Sequence, residues 1–164
     1  MTHDTYTTAL RGQFLAAIDM LGRAIETCPD NLWGTRISAD AFWYQSFHAL
    51  FYLDCYLSES LDGYAPPPPF TLDELDERGL LPDRVYSRDE LLVYLRHGRD
   101  KCIATLDGLT PEHASAHCGF HWLDISIAEL HLYNLRHIQH HAAQLNQRIR
   151  LHGATPPRWV RRGE

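Results

Sequence analysis

The fold class of this 164-residue chain is decided by the stretch 129-ELHLYNLRHIQHHAAQLN-146. In a helix of about 3.6 residues per turn, the apolar residues here share one side with two histidines. The residues that fall within an arc of roughly 100° around His137 are Leu123, Ile127, Leu130, Asn134, His141, Gln144, Leu145 and Arg148. We therefore predict an amphipathic helix whose buried face carries His137 and His141. It begins near Asp124 or Ser126 and ends near Leu151.

Three further segments have apolar residues at helical spacing: about residues 7–27, about residues 38–61, and from Ser87 through Leu106. The second is apolar around most of its circumference, so we expect it to be the most buried helix or to meet a partner subunit. The third and fourth begin with capping-box patterns, Ser87 with Glu90 and Ser126 with Glu129. No segment has the pattern of a strand. The sequence thus predicts an all-α, antiparallel four-helix bundle in a single domain, 1–164.

A long connection, residues 62–86, joins the second and third predicted helices. Its four consecutive prolines, 66–69, favour an extended backbone, and residues 71–75 have the pattern of a short helical turn. We expect this connection to lie across one end of the bundle.

Charge and composition limit the partners. The net charge is −6 with neutral histidines, and the basic run at residues 158–162 is short, so we expect no nucleic-acid partner. No apolar stretch approaches the roughly 20 residues that span a bilayer, and residues 1–8 lack a signal core, so we expect a cytoplasmic protein without a membrane partner. The chain has four cysteines without a C-x-x-C pair, which predicts reduced, buried thiols.

The unusual feature is the histidine content, eleven residues. His137 and His141 are one turn apart on a buried face, close enough to ligate one metal ion. His48, in the middle of the second predicted helix, is the candidate third ligand, because bundles build metal sites from facing helices. Three imidazoles with an open position are typical of a catalytic or exchangeable site, and they suit zinc, nickel, iron or copper. Metal affinity is then expected to fall as the pH drops through about 6.5.

Two alternatives to this site remain open. Core histidines often hydrogen-bond one another without a metal. A second cluster, His117, Cys118 and His121, precedes the fourth helix but lacks the paired cysteines of a zinc site. We expect His121, with Trp122, to line the end of the bundle near a pocket instead.

Helix phase also predicts where the other polar side chains lie. Asn134 and Gln144 are expected to hydrogen-bond the outer imidazole nitrogens, and Tyr52 to meet a substrate. Cys55 lies two turns from His48, too far to be a fourth ligand. We place His131 and His140 at the surface or in an interface, and expect solvated rings at His97, His113 and His152.

The stretch 129–146, together with His48, resembles the fourth-helix signature of the DinB/YfiT-like metalloenzymes. This resemblance implies an up-down-down-up order of the four helices, a metal triad at His48, His137 and His141, and often a homodimer. Members with assigned activities include transferases and isomerases that use a small thiol such as bacillithiol or mycothiol.

The resemblance and the residues together suggest an enzyme whose zinc, nickel or iron ion activates a low-molecular-weight thiol toward a small electrophile. Hydrolysis by an activated water is one alternative. A non-catalytic dimeric module that binds a metal or a partner protein is the other. A site closed to solvent, or one with a fourth protein ligand, would favour this last hypothesis.

Overall fold

The computed structural model describes residues 3–164, which form six helices and one turn of 3-10 helix, and no β-strand. The helices are α1 (His3–Thr27), α2 (Asp30–Trp33), α3 (Phe42–Leu57), α4 (Arg88–Asp107), α5 (Pro111–Ser115) and α6 (Ile127–Leu151). The 3-10 turn, Asp73–Leu75, lies in the connection between α3 and α4. The four long helices are the four that the sequence predicts, and the all-α prediction is confirmed.

Hydrogen bonds at both ends of α1 give its direction relative to its neighbours. The Tyr6 hydroxyl donates to the Ala128 carbonyl at 2.9 Å, so the starts of α1 and α6 are side by side and these helices are parallel. Arg11 pairs with Asp107 at 3.2 Å, and Arg88 donates to the carbonyl of Cys28 at the other end. Helices α1 and α4 are therefore antiparallel.

Helix α3 runs parallel to α4 and antiparallel to α6. Arg148, late in α6, donates to Gln45, early in α3, at 2.8 Å. In contrast, Phe47 contacts Tyr86, just before α4, and the late residue Ser58 accepts from Lys101 at 2.6 Å. The order is up-down-down-up, as the family resemblance implies, with α1 and α3 diagonal across the bundle.

Helix α3 is the most buried, as predicted, but it is shorter than predicted. Twelve of its sixteen residues are buried. It starts at Phe42, since Ala41 has an extended backbone, and it stops before Glu59, whose φ of 63° lies in the left-handed region. The Glu59 carbonyl accepts from the Gly119 amide at 2.8 Å, so a contact with the loop before α6 ends the helix.

The helix caps follow the sequence pattern in part. Ser87 and Glu90 form the complete predicted capping box. Ser126 accepts from the Glu129 amide, which is one half of the second box. The sequence analysis missed α2 and α5, four and five residues long, because such short helices have no readable periodicity.

The prediction that the connection between α3 and α4 lies across one end of the bundle was wrong. Because α3 and α4 are parallel, it runs along them, and Tyr64, Phe70 and Glu74 contact the middle of α3. Phe70 is buried and stacks on Tyr94 of α4, with 4.2 Å between the ring centroids. Phe70 also stacks on Phe47 of α3 at 5.8 Å. These contacts hold the following 3-10 turn against α3.

A buried carboxylate joins α3 to α4. Asp54 is 1% exposed and accepts hydrogen bonds from the Lys101 ammonium at 2.5 Å and from the hydroxyls of Tyr94 at 3.1 Å and Tyr64 at 3.3 Å. The ring of His97 lies 3.4 Å from the same carboxylate. Burial of this charge is thus compensated by a full set of donors.

The four cysteines are free thiols and all are buried, as predicted. None of the helices within residues 3–164 combines the length and the apolarity that a bilayer crossing requires.

Candidate metal centre

Three histidines converge where α3 faces α6. His48 comes from α3, and His137 and His141 come from successive turns of α6. One ring nitrogen from each lies within 4.8 Å of the other two. The structure thus brings together, from two antiparallel helices, the three residues that the sequence predicts as metal ligands.

The spacing suits a common ligand. The Nε2 atoms of His137 and His141 are 3.1 Å apart. The ring centroid of His48 lies 5.5 Å from that of His137 and 4.9 Å from that of His141. A tetrahedral ion with bonds of about 2.0–2.1 Å separates two nitrogen ligands by about 3.3 Å. The group could therefore hold a metal ion.

Burial keeps two of the rings neutral. Burial, together with the neighbouring rings of His141 and His48, lowers the pKa of His137 to about 3. Burial also lowers the pKa of His141 to about 4. A metal needs unprotonated nitrogens, so protons compete at these two rings at a lower pH than the unperturbed value of about 6.5 implies.

The metal-free protein should lose stability in acid for the same reason. Below about pH 6.5 an unfolded histidine is protonated while His137 in the fold is not, so the unfolded chain binds more protons. The free energy of unfolding should fall between about pH 6.5 and 4, by up to about 1.4 kcal/mol per pH unit for His137 and less for the more exposed His141. Urea unfolding of the chelator-treated protein measures this loss.

The His137→Asn variant provides the comparison, because its side chain does not titrate. Its unfolding free energy should depend less steeply on pH over the same range. Equal slopes in the two proteins would contradict a lowered pKa at His137.

A carboxylate that the sequence analysis missed completes the environment of His48. The Oε2 atom of Glu74, in the 3-10 turn, lies 2.6 Å from His48 Nδ1, and the Glu74 side chain is 3% exposed. The connection holds several acidic residues near this position, and nothing in their spacing distinguishes Glu74. The packing of Phe70 against the bundle and the Tyr52 hydrogen bond to the Glu74 carbonyl bring it to the site.

All three histidines of the centre are partly exposed. The His48 side chain is 30% exposed. His137 lines a surface depression of about 540 Å³ together with Tyr133, Leu135, Arg136, Gln139, His140 and Ala143. Among the described residues, no fourth histidine, cysteine, aspartate or glutamate joins the group. An ion at this position would keep room for an exchangeable ligand.

The other predicted site residues lie at different distances from the triad. The Tyr52 ring is 4.9 Å from that of His48, and its hydroxyl donates to the Glu74 carbonyl at 3.2 Å. Gln144 is exposed, and its side-chain interaction with His141 raises the pKa of that ring, which opposes the effect of burial. His121 is exposed against Trp122 and is not part of the triad group.

The expectation for Asn134 was wrong. Its amide nitrogen donates to the Leu53 carbonyl at 3.0 Å, and its oxygen has no hydrogen-bond partner among the described residues, so it bonds to neither imidazole. Asn134 joins α6 to α3 one turn before His137. The helix projection correctly placed the Asn134 side chain on the buried face of α6. It could not show that the Leu53 carbonyl, and not a histidine ring, is its hydrogen-bond partner.

The surface position predicted for His131 was also wrong. This ring is fully buried, with Nε2 at 3.4 Å from Glu59. Helix α6 packs against α1 and α5 as well as α3, so its buried arc is wider than the stripe through His137. His140, His97, His113 and His152 are exposed, as predicted.

The second cluster does not form a site in the described residues. Cys118 is buried and donates to the Leu123 carbonyl, whereas His117 pairs with the exposed Asp124 at 2.7 Å. These two and His121 do not form a ligand group.

An up-down-down-up bundle with three converging histidines on two antiparallel helices defines a class of small helical proteins with a potential metal centre between those helices. The chain belongs to the DinB superfamily, whose family model matches residues 13–145. The match includes the three histidines and Glu74. No curated protein shows a significant match to the chain.

Proposed function

We propose that this chain is a metal-dependent enzyme of the DinB superfamily, in which His48, His137 and His141 hold one divalent ion of zinc, nickel or iron. One observation carries the proposal: three partly exposed imidazoles converge on one position, with no fourth protein ligand among the described residues, and one of them, His137, also lines a surface depression. Structural zinc sites normally have four protein ligands.

The proposed reaction is transfer of a small thiol to a small electrophile. A bound ion supplies Lewis acidity, which favours loss of the thiol proton. The thiol sulfur then forms a bond to carbon of the electrophile, the leaving group departs with the bonding electron pair, and the thiol proton passes to solvent. Bacillithiol- or mycothiol-type thiols are the candidates.

The chain's own residues would bind and orient these reactants. The depression that His137 lines has mainly apolar walls and also includes Arg136 and His140, which suits a small organic molecule with a polar group. Tyr52 lies beside His48 and could contact the substrate. Free, buried cysteines fit a reducing compartment, so we place the enzyme in the cytoplasm, and we propose that it acts as a homodimer.

Activity assays on tag-free protein loaded with zinc or nickel test the proposal. We expect metal-dependent conjugation of bacillithiol, mycothiol or glutathione to an alkyl halide, and loss of that activity in His137→Ala. The matched control is His152→Ala, since His152 is an exposed histidine at the end of the same helix and bonds Asn31.

A parallel assay with activated esters separates transfer from hydrolysis, because the same open position admits water. Hydrolysis without thiol transfer would replace the proposed reaction by the hydrolase alternative. If neither reaction exceeds the His137→Ala background, the enzyme proposal is wrong, and a non-catalytic metal-binding module becomes the better account.

A further inference from the structure

Glu74 is the one acidic side chain in direct contact with the triad among the described residues. It comes from the connection between α3 and α4, not from the helices that supply the histidines. Its Oε2 atom lies 2.6 Å from His48 Nδ1, and the side chain is nearly inaccessible.

The contact determines which nitrogen of His48 carries the proton. A carboxylate accepts hydrogen bonds, so the neutral His48 ring must hold its proton on Nδ1 and donate it to Glu74. The Nε2 lone pair is then free. Histidine ligands of metals are commonly held in this way by a carboxylate on the second nitrogen.

Two hydrogen-bond contacts hold Glu74, and with it the connection, against α3. The Tyr52 hydroxyl donates to the Glu74 backbone carbonyl at 3.2 Å, so the same residue is bound through its side chain and its main chain. Both partners, His48 and Tyr52, lie on successive turns of α3.

The burial of Glu74 has a cost that the contacts do not fully offset. Its Oε1 atom is buried and makes no hydrogen bond of normal geometry among the described residues, although Tyr44 lies close enough for the Glu74 carboxylate, in addition to burial, to raise the pKa of its hydroxyl. An unpaired buried acceptor destabilises a fold. The contact with His48 is then the main polar interaction of the Glu74 carboxylate.

We propose that Glu74 is a positioning residue for His48, and that ion binding and the seating of the 3-10 turn at Asp73–Leu75 stabilise each other. This inference rests on the metal site of the proposed function. If Glu74 orients the ligand, then a bound ion holds the turn against α3, and the coupling must act equally in both directions.

The first test is the protonation of the His48 ring in the metal-free protein, read from ¹⁵N chemical shifts of its side chain. We expect the Nδ1–H form in the wild type and a mixture of both forms in Glu74→Gln. A purely structural role for Glu74 would leave the ring unchanged in a variant that remains folded.

The second test is zinc affinity, measured by competition with a chelator. Glu74→Gln should bind zinc about 10- to 100-fold more weakly than the wild type. Glu77→Gln, an exposed glutamate in the same connection, is the matched control and should bind as the wild type does. In a His48→Ala background, Glu74→Gln should cause no further loss, because its target ring is gone.

Hydrogen exchange tests the reverse direction. Zinc should slow exchange of the amides in residues 71–76 of the wild type and have a smaller effect in Glu74→Gln. Equal affinities for Glu74→Gln and the wild type, with an unchanged His48 ring, would overturn the inference while the metal site stands. A wild type that binds zinc but catalyses nothing contradicts the proposed function, and the affinities still decide the role of Glu74.

Discussion

Replacing His137 or His141 with alanine should reduce metal binding from about one ion per chain to background. The two rings lie 3.1 Å apart at Nε2 and supply two of the three ligands, so either substitution leaves two protein ligands at most. Apparent zinc-binding energies of about 10–16 kcal/mol for four-ligand sites correspond to about 3 kcal/mol per ligand. Loss of one ligand then weakens binding by more than about 100-fold.

Metal content by elemental analysis and affinity by chelator competition measure this effect. His140→Ala and His152→Ala are the matched controls, because both histidines are on or next to α6, exposed and outside the ligand group. Both should retain the ion. Equal loss in the control variants would indicate that exposed histidines bind the metal, and equal retention in all variants would place it elsewhere.

Replacing Asp54 with alanine should lower the free energy of unfolding by about 1–3 kcal/mol. The substitution removes a fully buried carboxylate and leaves the hydroxyl of the buried Tyr94 without its acceptor. It also removes the carboxylate partner of Lys101, but that ammonium keeps the Ser58 hydroxyl and the residue-54 carbonyl as acceptors, and its side chain is 27% exposed. The loss therefore comes mainly from unsatisfied groups between α3 and α4.

Urea unfolding of the metal-free protein measures this change, and Asp76→Ala is its control. Asp76 pairs with Arg78 on the surface of the connection, and exposed ion pairs contribute little. We expect an unchanged midpoint for that variant. A loss below about 1 kcal/mol for Asp54→Ala would contradict a structural role for the buried network.

The fold could be predicted because its long helices have strong periodicity and because α4 and α6 begin with recognisable N-cap residues. The ends of α3 could not, because they depend on tertiary contacts. Glu59 has a left-handed backbone conformation, and its carbonyl accepts a hydrogen bond from the Gly119 amide. The local sequence does not predict this conformation. The path of the connection likewise depends on Phe70, whose ring could not be assigned to a partner from sequence.

Prediction of the candidate site succeeded for residues whose direction follows from helix phase. His137 and His141 are one turn apart, and His48 faces them from an antiparallel helix. Glu74 was missed because a connection has no phase from which its direction can be read. Asn134 was placed on the correct face, but its partner is the Leu53 carbonyl, which helix projection does not show.

The position of a bound ion is the most direct test of the account. A crystal of the zinc-loaded, tag-free protein, measured at wavelengths on both sides of the zinc absorption edge, locates that ion without reference to activity. We predict one anomalous peak at about 2.0–2.1 Å from a nitrogen of His48, His137 and His141, with a non-protein ligand in the remaining position. A peak at other side chains, or a fourth protein ligand at this one, would contradict the open three-histidine centre.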